Sequence, residues 1–192
     1  MKVKIGATTI LCAFLIAAGM QKMARADDQY PYPSGTFSFT NTGLLAVCLN
    51  PTTSALEACT TPGVLAEPLS VVEVGSVNYD HQGHGCLSET ASEQAFPPGA
   101  STMPLNPNQH EVWTITKFDP TNGTGDEKFT VWTGGQCNGP TFDNTGATQT
   151  ASGTLHFVLS EDGRRLDSQY TSITNSTDSL GAFSLYAVCR KE

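Results

Sequence analysis

The sequence predicts an all-β fold, a single small antiparallel β-barrel of about eight strands, and three observations support this. No long window has the 3.6-residue periodicity of an amphipathic helix. Short runs of β-branched and aromatic residues recur instead, separated by clusters of Gly, Pro, Asn and Asp. The 192 residues include 18 Gly and 11 Pro, and only 15% are charged, which is typical of a turn-rich globular domain. Hairpin spacing of this kind suits a barrel, with a β-sandwich as the alternative.

The first half of the chain supplies the first predicted strands. Runs 36–40 and 44–49 are separated by Asn-Thr-Gly, where Gly43 is interpreted as a bulge or a tight turn. Run 69–79 follows, with the odd-numbered residues from 71 to 79 on one face and a bend at Gly75. Residues 80–110 are rich in Gly and Pro and predict an irregular stretch, in which 89–95 is the one helical candidate.

The second half predicts two hairpins and a closing strand. Runs 111–118 and 128–133 flank the loop 119–126, whose Pro, Asn and Gly residues indicate a long hairpin turn. Runs 154–160 and 165–173 flank an Asp-Gly pair, a strong signal for a short hairpin. In the first of these runs Leu155, Phe157 and Leu159 are expected to face the core and His156 to face outward. Run 181–189 closes the chain with two alternating sets of residues.

The first 26 residues are predicted to be a signal peptide, outside the fold. Lys2 and Lys4 form a basic start, residues 10–18 are apolar, and residues 24–26 read Ala-Arg-Ala, a small-x-small pattern that signal peptidase accepts. The apolar run is too short to span a bilayer, which needs about 20 residues. We therefore expect an exported protein, periplasmic or extracellular, whose single domain covers residues 27–192.

Net charge argues against two classes of partner. The leader removes Lys2, Lys4, Lys22 and Arg25, so six basic residues face 18 acidic ones and the net charge is −12. Such a surface repels phosphate backbones and anionic lipids, so neither nucleic acid nor an anionic membrane surface is expected as a partner. Since no phosphate-cradling glycine motif is present either, no nucleotide cofactor is expected.

Export makes the cysteines informative, because an oxidising compartment favours disulfides. The five cysteines after the leader leave one thiol over, and the sequence leaves the pairing open. We favour Cys48 with Cys59, which closes the loop 50–58, and Cys86 with Cys137, which ties two loops together. Cys189 is then either a buried small hydrophobe or a reactive free thiol.

Four short segments between residue 128 and the end of the chain carry a resemblance to known proteins. They are residues 128–131, 137–139, 153–163 and 181–183, which read KFTV, CNG, GTLHFVLSEDG and GAF. Their pattern is similar to that of a loose group of exported, mostly uncharacterised bacterial proteins, the lipocalin-like and allene-oxide-cyclase-like small β-barrels. The resemblance implies the fold rather than an activity. Two features depart from it: Pro140 follows the turn, and residues 80–110 have no counterpart.

Two polar loops have the composition of a metal site without the spacing. Asp80, His81, His84 and Cys86 are ligand types for a transition metal, but their spacing matches no specific site and Cys86 is expected in a disulfide. The loop 119–127 contains carboxylates that suit calcium, but it lacks the spacing of a calcium-binding loop. Both are interpreted as solvated loops, and no metal is expected.

No catalytic constellation stands out either. The chain has four histidines, and no serine lies in a Gly-x-Ser-x-Gly elbow. Its 18 acidic residues supply too many carboxylate pairs to nominate a glycosidase couple. We therefore name no catalytic residue and no cofactor.

Binding is the leading hypothesis. Aromatic residues on the predicted strands could line a barrel cavity for a small apolar ligand, and simple core packing is the other interpretation of the same residues. The candidates for ligand binding are Tyr79, Trp113, Phe118, Phe129 and Trp132. The sequence thus predicts a carrier or accessory protein. The alternatives are a protein-interaction module with a filled core that uses its acidic loops, and a cofactor-free isomerase or cyclase.

Overall fold

The computed structural model describes residues 30–95, 103–104 and 108–192, with side chains described for 30–88 and 108–192. This part of the chain contains eleven strands and no helix. The predicted leader, residues 1–26, lies outside the described residues.

Eight strands form a closed antiparallel barrel, so the barrel prediction is confirmed and the sandwich alternative is wrong. In order around the barrel they are β1 (Gly35–Leu49), β2 (Leu65–Tyr79), β3 (His84–Ala95), β5 (Gln109–Asp119), β6 (Thr124–Thr133), β9 (Thr148–Leu159), β10 (Arg165–Asn175) and β11 (Leu180–Lys191). β11 closes the barrel by pairing with β1. The short strand β4 (Met103–Pro104) pairs with the second half of β3, while β7 (Gln136–Asn138) and β8 (Thr141–Asp143) form a separate hairpin.

The predicted helix at residues 89–95 is wrong, because these residues are the second half of β3. They pair with β2 from Gly75 opposite Glu89 to Ser70 opposite Ala95, with one shift of register between Gly75 and Val74. The side of β2 that is not paired with β1 offers backbone hydrogen-bond partners to these residues. This pairing overrides a weak local helix preference. Residues 84–95 are therefore a strand inside the region that the sequence predicts to be irregular.

The two predicted runs 36–40 and 44–49 are one strand, and Gly43 is the residue that joins them. A Cβ at this position would overlap the Ser184 carbonyl oxygen of β11. The glycine therefore allows β1 to stay close to its neighbour without a turn.

The expected alternation of buried and exposed residues is confirmed where the sequence pattern is clear. Leu155, Phe157 and Leu159 are buried and His156 is exposed. Both predicted hairpins are present, between β5 and β6 and between β9 and β10. Both favoured disulfides, Cys48–Cys59 and Cys86–Cys137, are also present. Cys189 is a free thiol buried in the core.

Candidate functional site

One end of the barrel, which we call the mouth, is formed by the turns between β2 and β3, β5 and β6, and β9 and β10. Residues 30–33, with the sequence Tyr-Pro-Tyr-Pro, cross this end, and we call them the strap. Each turn presents a glycine to a different strap residue: Gly123 to Tyr30, Gly163 to Pro31 and Gly83 to Tyr32. The strap is therefore held by contacts with all three turns of the mouth.

A cleft of about 440 Å³ lies between the strap and the end of β5. The Tyr32 ring meets the Phe118 ring edge-on, with centroids 5.2 Å apart, and Phe118 stacks on Phe157 of the core at 6.1 Å. The floor of the cleft is thus continuous with the hydrophobic core. The lining combines aromatic and aliphatic side chains with a few polar ones: Tyr30, Tyr32, Ile115, Thr116, Lys117, Phe118 and Pro120.

A bulge in β5 determines that Phe118 lines this cleft. Ile115 lies opposite Glu127 of β6, but the register then shifts, so that Phe118 lies opposite Gly125. Because side chains alternate along a strand, a regular β5 would have turned Lys117 inward in place of Phe118. Among the five aromatic residues predicted to bind a ligand, Phe118 is the one in the cleft lining.

Three of the other predicted residues, Tyr79, Trp113 and Phe129, lie together inside the barrel. All are almost fully buried, and the rings of Tyr79 and Trp113 are in contact, with centroids 6.2 Å apart. The Phe129 ring fills the space above Gly153, where a Cβ would collide with it, and the Tyr79 ring does the same above Gly85. These rings therefore pack against the chain itself, as core residues do.

Trp132 does not join this group, because alternation along β6 places it on the outer wall. It is half-buried there against Phe142 of the β7–β8 hairpin, with ring centroids 5.5 Å apart, and Phe142 also contacts His110. The Cys86–Cys137 disulfide fastens this hairpin to the barrel. The structure thus separates Trp132 from the other four predicted residues.

Glu127 is the least expected residue of the interior, with none of its surface exposed. Its Oε1 accepts a hydrogen bond of 2.7 Å from the Tyr79 hydroxyl, and its buried Oε2 has no hydrogen-bond partner among the described residues. Burial raises the pKa of this carboxyl to about 8, because loss of water disfavours the charged form more than the Tyr79 hydrogen bond favours it. At neutral pH the carboxyl is therefore protonated, and it has a hydrogen to donate.

Two observations place Glu127 close to the cleft, although it is not part of the lining. Its cross-strand neighbour Ile115 is part of the cleft lining. Burial and then the nearby Glu127 charge raise the pKa of the Tyr32 phenol in the strap. The same two causes, in the same order, raise the pKa values of Tyr79 and Cys189 far above the ordinary values. Glu127 is thus within electrostatic reach of the strap above it and of the core around it.

Two further carboxyls, Glu73 and Glu111, also face the interior, and each accepts a hydrogen bond. Asn41 donates its side-chain N–H to Glu73 Oε2 at 2.7 Å, and Trp113 donates its indole N–H to Glu111 Oε2 at 2.5 Å. Burial raises the pKa of Glu73 as well.

Sequence reasoning missed Glu111 and Glu127, although a signal was present. Each belongs to a row of inward residues with a spacing of two, Glu111 before Trp113 in β5 and Glu127 before Phe129 in β6. The predicted strand 128–133 begins one residue too late to include Glu127, because an acidic residue beside a hairpin turn is normally assigned to the loop.

The two polar loops use their carboxylates to fix turns. Asp80 accepts backbone N–H groups of Gln82 and His84, and Asp119 accepts a backbone N–H from Thr121. In the described part of the chain, no group of three or more His, Cys, Asp or Glu residues is arranged to hold a metal ion. The same residues contain no helix with the length and apolar character that a membrane crossing requires.

Comparison of the chain with protein-family models, with curated proteins and with solved structures finds no match.

Proposed function

We propose that this protein binds a small, largely apolar molecule and that the molecule occupies the cleft at the mouth. The observation that carries the proposal is the cleft itself, because its volume of about 440 Å³ lies within the range of small-molecule sites, about 300 to 1,000 Å³. Its lining has the usual character of such sites, mostly aromatic and aliphatic with a few polar groups. The packed rings of Tyr79, Trp113 and Phe129 favour this location over the barrel centre.

The exposed ring of Tyr32 gives the cleft an open apolar surface. This side chain is 37% exposed although its ring already contacts Phe118. A planar ligand that slides between the strap and β5 would cover the rest of the ring and remove apolar surface from water. Aromatic ligands suit the cleft best, because ring-on-ring contacts add about 0.5 to 1.5 kcal/mol to the gain from burial.

The place of action proposed here is the periplasm or the extracellular space. The Cys48–Cys59 and Cys86–Cys137 disulfides are compatible with an oxidising compartment. If the leader is cleaved as the sequence predicts, N-terminal sequencing of the protein recovered after export will begin at Asp27. A chain that begins at Met1 would contradict the proposal.

Ligand binding can be tested with N-phenyl-1-naphthylamine, a neutral aromatic probe that fluoresces in apolar surroundings. We expect saturable binding of one probe per chain and an affinity reduced about three- to tenfold by Tyr32→Ala, which removes one ring contact. Tyr186→Ala is the matched control, because Tyr186 is 43% exposed but lies on β11, outside the cleft lining. Absence of saturable binding, or equal losses in the two variants, would contradict the proposal.

A further inference from the structure

The unpartnered oxygen of Glu127 is the feature that the proposed function leaves unexplained, and Ile115, the cross-strand neighbour of Glu127, lines the proposed cleft. A buried polar atom without a partner is rare in native proteins and destabilises the fold. Glu127 Oε1 is already occupied by the Tyr79 hydroxyl, whereas Oε2 is buried and without a partner among the described residues. An additional acceptor beside Oε2 would satisfy the group.

The strap lies between this carboxyl and the solvent side of the cleft. If Gly83 carried a Cβ, that atom would meet both the Tyr32 hydroxyl and the Ile115 side chain, and Ile115 is the cross-strand neighbour of Glu127. The Tyr32 hydroxyl therefore lies beside Gly83 and close to Ile115, the cross-strand neighbour of Glu127. A ligand of similar shape could reach further, toward Glu127, once the hydroxyl end of Tyr32 moves aside.

The ionisable groups near Glu127 bear on the charge that a bound ligand can carry. Among the described residues with a clear pKa shift, those on which the Glu127 charge acts are the phenols of Tyr32 and Tyr79 and the thiol of Cys189. Lys117 in the cleft lining is exposed to solvent. A negatively charged ligand group at this carboxyl would lose its hydration and face an acidic side chain, while a neutral oxygen accepts the carboxyl hydrogen.

We propose that Glu127, held by Tyr79, is the polar end of the ligand site, and that the ligand class is a neutral aromatic molecule carrying a carbonyl oxygen. The apolar body of the ligand lies in the cleft between Phe118 and the Tyr32 ring, and its carbonyl accepts a hydrogen bond from Glu127 Oε2 once the hydroxyl end of Tyr32 has moved aside. This assignment rests on the proposed function, since it names the ligand class of the same cleft.

The test uses two neutral probes of nearly equal shape, 2-acetylnaphthalene and 2-isopropenylnaphthalene, which differ in one oxygen. Each probe competes with N-phenyl-1-naphthylamine for the binding site of the mature protein, residues 27–192. We expect the ketone to bind about five- to tenfold more tightly than the hydrocarbon, the effect of one added hydrogen bond. The infrared carbonyl stretch of the bound ketone should also shift to lower frequency.

Two variants locate the effect. Glu127→Met removes the donor but fills the same space, so it should erase the preference for the ketone and the infrared shift. Tyr186→Ala, on the outer wall, should leave both unchanged. Equal affinities of the native protein for the two probes would overturn the assignment and leave the proposed function intact. Failure of all three compounds to bind would overturn both.

Discussion

The buried carboxyl of Glu127 predicts an unusual dependence of stability on pH, and Glu127→Gln isolates it. The folded pKa is about 8, against an ordinary value of 4.5. Between these pH values the folded chain keeps a proton that the unfolded chain has released. Stability falls as pH rises wherever the folded state binds more protons, so this contribution is present in full below pH 4.5 and is lost as pH rises toward 8.

The magnitude follows from the shift. Each pH unit inside this window removes about 1.4 kcal/mol of unfolding free energy, so an increase from pH 5 to pH 8 removes about 4 kcal/mol. Glutamine cannot ionise, but its side-chain oxygen can still accept the Tyr79 hydrogen bond. The unfolding free energy of the wild type minus that of the variant should therefore decrease by about 4 kcal/mol over this range.

Urea denaturation of both proteins at pH 5, 6, 7 and 8 measures this difference, with disulfides kept intact. Glu161→Gln is the matched control, because Glu161 is exposed on the turn between β9 and β10. Its stability difference from the wild type should stay constant with pH. The reasoning is refuted if the Glu127→Gln difference stays flat or increases with pH, since either result means that the native carboxyl is charged at neutral pH.

Three further predictions concern the strap, the hairpin and the free thiol. Gly163→Asn should destabilise the fold by about 1 to 3 kcal/mol, because a Cβ at this position would lie 2.6 Å from Pro31. Thermal unfolding measures the loss. Gly139→Asn is the control, because Gly139 has a similar φ and open space around it. Replacing Cys86 and Cys137 together by serine should free the β7–β8 hairpin and shift the fluorescence of Trp132 to the red. The near-ultraviolet circular dichroism of the buried Trp113 should stay native-like. An unchanged Trp132 emission spectrum would contradict the contact between Trp132 and the hairpin. In the mature protein, which lacks Cys12, Ellman's reagent should find no reactive thiol in the native state and one in denaturant without reductant, since Cys189 is fully buried. Rapid reaction of the native protein would contradict its burial.

Sequence reasoning succeeded for the barrel where local chemistry determines structure. The Asp-Gly turn before Arg164 and the alternation of Leu155, Phe157 and Leu159 each depend on neighbouring residues only, and both predictions are confirmed. The helix prediction for residues 89–95 failed for the opposite reason, because their conformation depends on pairing with β2, which is distant in sequence. The residue pattern of a single sequence does not show which distant strand will become the pairing partner.

The candidate site was less predictable because its features arise from small shifts in register. The bulge after Ile115 turns Phe118 into the mouth, and no residue type in that segment marks the extra position. Trp113 and Trp132 are equally good aromatic candidates by sequence, yet they lie on opposite sides of the barrel wall. The strap precedes the first predicted strand, and its contacts with three separate turns depend on residues that come together only in the closed barrel.

The contrast among the three inward carboxyls supports the proposal that Glu127 is the polar end of the ligand site. Glu73 and Glu111 each accept a hydrogen bond from a neighbouring interior side chain on Oε2, the oxygen that Glu127 leaves unpartnered among the described residues. A purely structural position would be more stable with an apolar side chain, because an unsatisfied buried polar group costs about 1 to 3 kcal/mol. Natural sequences depart from packing rules mainly where function requires it. Asn41 and Ser168 also have a buried side-chain atom without a partner among the described residues, but of these three residues Glu127 alone has a cross-strand neighbour in the cleft lining, which is why we place it at the polar end of the proposed site.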